Sequence, residues 1–357
     1  MLTFTYEVNT SFGGLEMGKF KKFLLGSAAL LTIGTLSACG DTSAEDSSKE
    51  DGDKIGVAFY KYDDTYISSV RQALEEASKD NKDVELLMND SKGDQATQND
   101  QIDVLIQKGV KVLLVNVVDT GAAQTVIDKA SAADIPVIFF NREPESDVLT
   151  GYDKARFVGT KPEEAGVIQG EMAVELWNSD KSLDKNGDGV LNYVMLMGDA
   201  DNPEAIARTQ FSVSTIKDSG IEVKEIGQQV ANWDADKANT AVSAWLSREG
   251  DNIEMVLANN DSMASGAIAA LQSGGYNNDE DKFIPVFGVD ATDEAVDLIA
   301  KNYMSGTVKQ DAVGMAEAIF ALGVNAAEGK DYIEDTEYEY DDTGISIRIP
   351  YQAYSGE

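Results

Sequence analysis

The segment KIGVAFYKYDDTYISSVRQALEEASKDNKDVELLM (54–88) contains the pattern from which the fold of this chain is predicted. It begins with a short apolar run, Ile55–Tyr60, which is nearly continuous rather than alternating, as expected for a parallel strand buried on both faces. A helical pattern follows at Ser68–Lys79, and a second strand-like run follows at Val84–Met88. The order strand, helix, strand predicts two parallel strands joined by a crossover helix.

The same alternation continues along the chain in two consecutive series, which predict an α/β fold with two doubly wound parallel-sheet lobes. Further strands are predicted at Val110–Val117, Ile135–Phe140, Phe157–Gly159, Tyr193–Met197, Glu222–Ile226, Met255–Ala258, Val286–Val289 and Thr307–Lys309. Further helices are predicted at Asp94–Gln107, Thr120–Ala133, Glu163–Asn178, Ala205–Ser219, Asp236–Ser247, Met263–Gln272, Glu294–Lys301 and Val313–Glu328.

The composition excludes several classes of function. The 357 residues include 29 Lys and Arg, 63 Asp and Glu, one Cys and no His, for a formal net charge of −34. Without His there is no Ser-His-Asp triad and no imidazole metal site, and one Cys allows neither an internal disulfide nor a thiolate zinc cluster. Nucleic acid is an unsuitable partner, because such binding depends on Lys and Arg neutralising phosphates.

Residues 1–38 are predicted to be a leader and a lipoprotein signal peptide. Basic residues precede an apolar stretch, 23–33, that is too short to span a bilayer. The sequence LSAC (36–39) resembles a bacterial lipobox, so Cys39 is the predicted lipidation site, the alternative being an ordinary signal peptide with a chance Cys. With the acidic run to Asp53, residues 39–53 form a predicted flexible tether. The predicted location is extracytoplasmic, on the outer face of a Gram-positive cell membrane, with a Gram-negative lipoprotein as the alternative.

Polar side chains follow most of the predicted strands, where ligands bind in open α/β sheets. They are Asp63, Asp64, Tyr66, Asn141, Asn202–Arg208, Asn259, Asn260, Asp261, Asp290, Gln310 and Asp311. Each Asp or Asn could instead serve only as a helix N-cap. As a set they favour a neutral polyhydroxyl ligand, because an amide, carboxylate or guanidinium group can form two hydrogen bonds to sugar hydroxyl groups at once. No glycine-rich phosphate loop follows any of these strands.

The segment DKNGDGVLN (184–192) has the spacing of the first nine positions of an EF-hand calcium loop. Asp184, Asn186, Asp188 and Asn192 supply side-chain oxygens, and Val190 would supply its backbone carbonyl. The Glu expected at the twelfth position is absent, so one carboxylate must come from elsewhere. The sequence therefore predicts a structural Ca²⁺ site, the alternative being an acidic turn without metal.

The chain resembles the periplasmic glucose/galactose-binding proteins, the type I sugar-binding components of ABC transporters. The resemblance runs from about residue 54 to residue 351 and rests on seven stretches. They are IGVAFYKYDD (55–64), LLMNDSKGDQATQNDQIDVLIQKGVK (86–111), PVIFFNREP (136–144), DKNGDGVLN (184–192), EMVLANNDSMASGA (254–267), IPVFGVDA (284–291) and RIPY (348–351). It implies the type I periplasmic-binding-protein fold, with a three-segment hinge joining an N-terminal lobe (54–160 plus 310–347) to a C-terminal lobe (161–309 plus 348–357).

The resemblance also implies a role for individual residues. Trp233 and Tyr66 would stack on the two faces of a sugar ring, and Glu254 would supply the missing carboxylate of the calcium loop. Three positions depart from the family pattern. Asn202 stands where His is usual, Glu204 where Asp is usual and Gln310 where Asn is usual. The implied sugar-binding residues are Asp64, Tyr66, Asn141, Asn202, Glu204, Arg208, Trp233, Asn260, Asp290 and Gln310.

The predicted function is therefore capture of D-galactose or D-glucose between closing lobes and delivery to the permease of an ABC transporter. The expected partners are a monosaccharide, the permease and a membrane reached only through the N-terminal lipid, and the protein is expected to be a monomer. The alternatives are a type I binder for another sugar and a sugar sensor that feeds a chemoreceptor or membrane kinase. An enzyme that acts on sugars, using Asp64 and Asp290 as a carboxylate pair, is the least favoured alternative.

Overall fold

The computed structural model describes residues 52–278 and 282–356. The predicted signal peptide, Cys39 and all but the end of the predicted tether lie outside the described residues. Asp53, assigned to the tether, is already the first residue of a strand and pairs with Val84 of the next. None of the helices in the described ranges is both long enough and apolar enough to cross a membrane.

Strands and helices alternate through the described chain in the predicted order. The strands are β1 Asp53–Phe59, β2 Val84–Asp90, β3 Val112–Val115, β4 Val137–Phe140, β5 Ala155–Gly159, β6 Val190–Met197, β7 Glu222–Val230, β8 Met255–Ala258, β9 Val286–Phe287, β10 Thr307–Gln310, β11 Ser346–Arg348 and β12 Tyr351–Tyr354. The α-helices are α1 Thr65–Ser78, α2 Gln95–Gln107, α3 Ala123–Ala132, α4 Ser146–Thr150, α5 Pro162–Ser179, α6 Pro203–Asp218, α7 Ala235–Glu249, α8 Asp261–Ser273, α9 Asp293–Ala300 and α10 Ala312–Ala327. The short elements α4, β11 and β12 were not predicted, because none of them contains a continuous apolar run.

Two parallel sheets form the centres of two lobes. The N-terminal lobe has the strand order β11-β5-β4-β3-β1-β2, and the C-terminal lobe has the order β7-β6-β8-β9. The second sheet is extended by isolated parallel bridges to the segment that contains β10, which pairs antiparallel with β12. The predicted α/β class and parallel sheets are confirmed, but the partner of β10 was not expected.

Each sheet is covered by helices on both faces, which explains the continuous apolar runs. Successive side chains of a strand point to opposite faces. In β1, Val57 and Phe59 pack with α1 and α10, whereas Ala58 packs with the apolar cluster on the other face. In β6, Val194 lies in the cluster on one face and Met195 in the cluster on the other. A strand with two buried faces favours apolar side chains until it ends.

The described chain passes between the lobes at three places. It leaves β5 for α5 at residues 160–161, leaves β10 for α10 at residue 311, and leaves β11 for β12 at residues 349–350. The last two crossings are identified by packing. Helix α10 packs on α1 and on strands of the first sheet, whereas β12 pairs with β10 beside the second sheet. Three neighbouring crossings agree with the predicted three-segment hinge, and rotation about it stays a prediction.

Candidate ligand-binding site

A cavity lies between the lobes, at the carboxyl ends of their strands. All ten residues that the sequence predicts for a sugar site line this one cavity: Asp64, Tyr66, Asn141, Asn202, Glu204, Arg208, Trp233, Asn260, Asp290 and Gln310. Tyr60, Ile67 and Arg142 also line it and were missed by the sequence analysis. Parallel strands explain the convergence, because their carboxyl ends share one edge of each sheet.

Three of these residues are also helix N-caps. The Oδ1 atoms of Asp64, Asn202 and Asn260 accept hydrogen bonds from the backbone N–H groups of Ile67, Glu204 and Met263 at 2.9, 2.8 and 2.9 Å. The same side chain can therefore cap a helix and also contact a ligand. Each cap occupies one oxygen, which leaves the Nδ2 groups of the two Asn residues as donors.

Asp64 is held by Tyr60, whose hydroxyl donates to Asp64 Oδ2 at 2.5 Å. Burial of the phenol, together with the adjacent carboxylate, raises the pKa of Tyr60 well above its usual value, so the hydroxyl keeps its proton as a donor. The guanidinium of Arg142 lies 3.8 Å from the centre of the Tyr60 ring and forms a 3.0 Å ion pair with Asp199 of the C-terminal lobe. A contact between the lobes is therefore linked, through Tyr60, to the orientation of Asp64.

Arg208 lies at the base of the cavity and is 3% exposed. It donates to the Asn259 carbonyl at 2.9 Å and to Glu204 Oε2 at 2.8 Å, and its Nη1 is 3.9 Å from Asp290 Oδ1. Burial by itself would lower the pKa of Arg208. The surrounding Tyr351, Glu204 and Asp290 have the larger, opposite effect, so the pKa lies above its usual value and the side chain is a fixed cation.

Asp290 is a buried acceptor on a turn of unusual backbone geometry. Its φ is 127° and that of Ala291 is 56°, both in the region that L-residues rarely adopt. Burial raises the pKa of Asp290 well above its usual value, while the Arg208 guanidinium opposes that rise. The nearby carboxylate of Asp261 holds the turn by accepting hydrogen bonds from Thr292 N at 2.8 Å and from the Thr307 hydroxyl at 2.6 Å.

The indole of Trp233 closes one side of the cavity. It lies directly against Gly198, where an added Cβ would come within 2.2 Å of the ring. Only glycine therefore leaves room for the indole in this position. On the opposite lobe Tyr66 is 6% exposed, and its hydroxyl approaches the sulfur of Met315 at 3.6 Å.

Three buried donors in the cavity wall have no hydrogen-bond partner within the described part of the chain. They are Trp233 Nε1, Arg208 Nε and Gln310 Nε2. A buried donor left unpaired costs about 1–3 kcal/mol. Three such donors beside carboxylates and amides fit a ligand with several oxygen atoms.

The structure places Glu254 beside both ends of the predicted calcium loop. Its Oε1 accepts from the Lys185 N–H at 2.9 Å and its Oε2 accepts from the Asn192 N–H at 2.8 Å. Glu254 is 1% exposed, burial raises its pKa, and no Lys or Arg of the described residues pairs with it. A buried carboxylate without a paired cation suits a metal ion.

The loop itself is closed by its own hydrogen bonds. The oxygens of Asp184 accept from the Gly187 and Gly189 N–H groups at 2.8 and 2.9 Å, and Asn186 Nδ2 donates to Asp188 Oδ2 at 3.0 Å. In this conformation no three carboxylate, imidazole or thiol side chains of the described ranges group as metal ligands. The oxygen-only donor set agrees with a hard cation, and Ca²⁺ stays a prediction.

Comparison with known proteins identifies the family. The periplasmic binding protein domain matches residues 55–331. The chain belongs to the periplasmic binding protein family. It is 40% identical over 326 residues to the D-galactose/methyl-galactoside binding periplasmic protein MglB of Haemophilus influenzae, covering 91% of this chain and 95% of the relative.

Two further relatives widen the range of ligands found in this family. A putative rhizopine-binding protein of Rhizobium meliloti is 31% identical and covers 87% of this chain and 92% of its own length. The crystal structure of an ABC transporter solute binding protein from Bacillus halodurans, with bound myo-inositol, superposes with a TM-score of 0.72 at 28% identity, covering 86% of this chain and 96% of that chain. The predicted resemblance and fold are confirmed, and the chain is a binding protein rather than an enzyme.

Proposed function

We propose that this periplasmic binding protein captures D-galactose or D-glucose in the cavity between its lobes and delivers it to an ABC transporter. Sugar binding and transport follow from the family, and the choice of hexose is supported by the 40% identity to the galactose-binding relative. The observation that carries the proposal is the convergence of ten predicted contact residues on one cavity.

The cavity supplies complementary groups for a pyranose. Trp233 and Tyr66 offer aromatic faces for the C–H sides of the ring. Asp64 and Asp290 accept hydrogen bonds from hydroxyl groups, and Arg208, held as a cation, donates to hydroxyl or ring oxygens. The unpaired Nε1 of Trp233, Nε of Arg208 and Nε2 of Gln310 would gain partners on binding.

The cross-lobe contacts support a cleft that closes around its ligand. Arg142 bonds to Asp199, and the Thr65 and Ser262 hydroxyls lie 2.9 Å apart across the cleft. We propose that the lobes open to admit the sugar, close over it by hinge rotation and present the closed form to the permease. Cys39 would hold the protein at the membrane through lipid, which an acylation test of Cys39→Ser would check.

A different polyol is the second candidate ligand. Glu204 stands where the family usually has Asp, and most of the hydrogen-bonding capacity of its carboxylate is taken by Thr160, Arg208 and Tyr351. Glu204 therefore has few free lone pairs with which to accept a hydrogen bond from a sugar hydroxyl, although it lines the cavity. Myo-inositol, found in the Bacillus halodurans relative, and ribose therefore belong in the ligand panel.

We also propose that the calcium loop holds Ca²⁺. Asp184, Asn186, Asp188, Asn192 and Glu254 would supply side-chain oxygens and Val190 its carbonyl. The ion would neutralise the buried Glu254 and fix the connection between α5 and β6. It would stabilise the C-terminal lobe without entering the sugar site.

Calorimetry with D-galactose, D-glucose, ribose and myo-inositol tests the sugar proposal. We expect 1:1 binding of a hexose and a change in tryptophan fluorescence that Trp233→Phe removes. Trp245→Phe is the matched control, because Trp245 is a buried core residue of the same lobe. Heat with myo-inositol or ribose but with neither hexose would transfer the assignment to the second candidate, and no heat with any of them would refute a sugar ligand of this panel.

A further inference from the structure

A buried cluster of polar side chains lies where the chain passes between the lobes. This crossing cluster consists of Thr160, Glu204, Arg208, Gln310 and Tyr351, each of which is 2–7% exposed. Two members come from α6 of the C-terminal lobe. The other three come one from each crossing: Thr160 follows β5, Gln310 ends β10 and Tyr351 begins β12.

Tyr351 is at the centre of the crossing cluster. Its hydroxyl lies 2.7 Å from Arg208 Nη2, 3.0 Å from Glu204 Oε2 and 3.0 Å from Thr160 Oγ1. Burial raises the pKa of Tyr351 far above its usual value, so the group is a neutral phenol. A neutral phenol can accept from Arg208 and donate to Glu204 at the same time.

The rest of the crossing cluster closes around the same ion pair. The Thr160 hydroxyl donates to Glu204 Oε1 at 2.7 Å. Arg208 Nη2 lies 2.8 Å from Glu204 Oε2 and 3.0 Å from Gln310 Oε1, so its two N–H bonds are shared among these two oxygens and the Tyr351 hydroxyl. The ion pair of α6 is thereby bonded to all three crossings. Since hydrogen bonds weaken steeply with distance and angle, these contacts can all form only within a narrow range of lobe angles.

Arg208 connects the crossing cluster to the ligand cavity. Its Nη2 faces the crossings, while its Nε is a buried donor without a partner in the described residues and its side chain lines the cavity. A ligand that bonds Nε needs the guanidinium in its present place. Gln310 and Tyr351 lie on β10 and β12 beside the second sheet, whereas Thr160 follows β5 of the first, so the contacts of Thr160 with Glu204 and Tyr351 change when the lobes rotate.

We propose that Tyr351 is a positioning residue that couples closure of the lobes to ligand binding. Its hydroxyl, with Thr160 and Gln310, holds the Glu204–Arg208 ion pair in the geometry that Arg208 needs to bond the sugar, and it does so only when the crossings are in the closed arrangement. Glu204 acts on this hinge through Thr160 and Tyr351. The inference rests on the proposed sugar-binding function and assigns a regulation of the same site.

The test compares Tyr351→Phe with Tyr332→Phe as the matched control. Tyr332 is also a buried tyrosine, and its hydroxyl donates to the Lys154 carbonyl at 2.8 Å, just before β5 and at the opposite end of that strand from the cavity. Calorimetry and stopped-flow fluorescence with the bound hexose should show an affinity about tenfold weaker for Tyr351→Phe, through faster release, the scale of one hydrogen bond to a charged group. Tyr332→Phe should keep the wild-type values.

A second pair of variants separates coupling from simple loss of folding. Thr160→Val should weaken binding as Tyr351→Phe does, and Thr160→Ser, which keeps the hydroxyl, should restore it. Wild-type affinity and release rate in both Tyr351→Phe and Thr160→Val would overturn the proposal.

A measurement without ligand distinguishes the two proposals. The radius of gyration of the ligand-free protein, from small-angle X-ray scattering, should increase in Tyr351→Phe and stay constant in Tyr332→Phe. If the wild-type protein binds no sugar of the panel, the proposed function fails, but this comparison still decides whether the crossing cluster sets the lobe angle. Equal radii in all three proteins would refute the coupling.

Discussion

Replacing Asp64 by Ala should remove most sugar binding while leaving the fold intact. Each oxygen of this carboxylate already accepts one protein hydrogen bond, from Ile67 N and from the Tyr60 hydroxyl. Each oxygen can accept one more, so the carboxylate has room for two sugar hydroxyls. A hydrogen bond to a charged group contributes about 1.5–3 kcal/mol, which gives a loss of about 3–6 kcal/mol for two. That loss corresponds to a dissociation constant about 10²–10⁴-fold higher.

The matched control for this variant is Asp94→Ala. Asp94 is also an N-cap in the N-terminal lobe, accepting from Thr97 N at 2.6 Å, but it is exposed and does not line the cavity. Loss of either cap should cost about 1 kcal/mol of unfolding free energy. Both variants should therefore melt below the wild type, and Asp64→Ala should melt lower than Asp94→Ala because the buried Tyr60 hydroxyl also loses its acceptor.

Calorimetry with D-galactose and D-glucose, together with thermal melting, separates the two effects. Asp94→Ala should bind like the wild type, and Asp64→Ala should show little or no heat at the same concentrations. If Asp64→Ala bound either hexose within twofold of the wild type, Asp64 would not be a sugar acceptor, and the residue assignments made from the resemblance would need revision.

Three further predictions concern the metal, the pH dependence and the aromatic wall. A chelator should lower the melting temperature and added Ca²⁺ should restore it, more than Mg²⁺ does; unchanged melting would contradict the calcium proposal. Burial raises the pKa of Asp261 to about 7, above its unfolded value near 3.8. Between about pH 4 and pH 7 the folded state therefore binds more protons at this residue than the unfolded state does. The unfolding free energy should consequently fall as pH rises from about 4 to 7. Asp261→Asn should flatten that fall, measured by urea denaturation at several pH values, and an unaltered slope would refute the assignment. Gly198→Ala should weaken sugar binding by displacing the indole of Trp233, and a variant with wild-type affinity would exclude Trp233 as a stacking face.

The positions of the candidate residues could be predicted because strand ends are encoded locally. A strand buried on both faces appears as an apolar run, and the first polar residues after it lie at the sheet edge where ligands bind. Asn141 after β4 and Asn260 after β8 were found in this way. Tyr60 and Arg142 lie at strand ends too, but Tyr60 was counted with the apolar run, and Arg142 was passed over beside Asn141.

The orientation of the side chains could not be predicted in the same way. Glu204 lines the cavity, and its sugar contact stays a prediction, but its oxygens also bond to Thr160 and Tyr351, which are 44 and 147 residues away. Its extra methylene, relative to the Asp usual in the family, gave no indication of this direction. The short elements α4, β11 and β12 were missed because SDVLT, SIR and YQAY mix polar and apolar residues and form no apolar run.

The sequence by itself determined the two βα series, the helix caps and the set of residues at the strand ends. These features depend on neighbouring residues, through side-chain periodicity and the hydrogen bonds of the first helical turn. The tertiary structure decided which donors and acceptors stay free for a ligand, because their competing partners come from distant parts of the chain. It left Arg208 Nε unpaired beside the cavity while bonding Nη1 to the Asn259 carbonyl and Nη2 to Glu204, Gln310 and Tyr351. Only the packing of both lobes and their crossings can specify this arrangement.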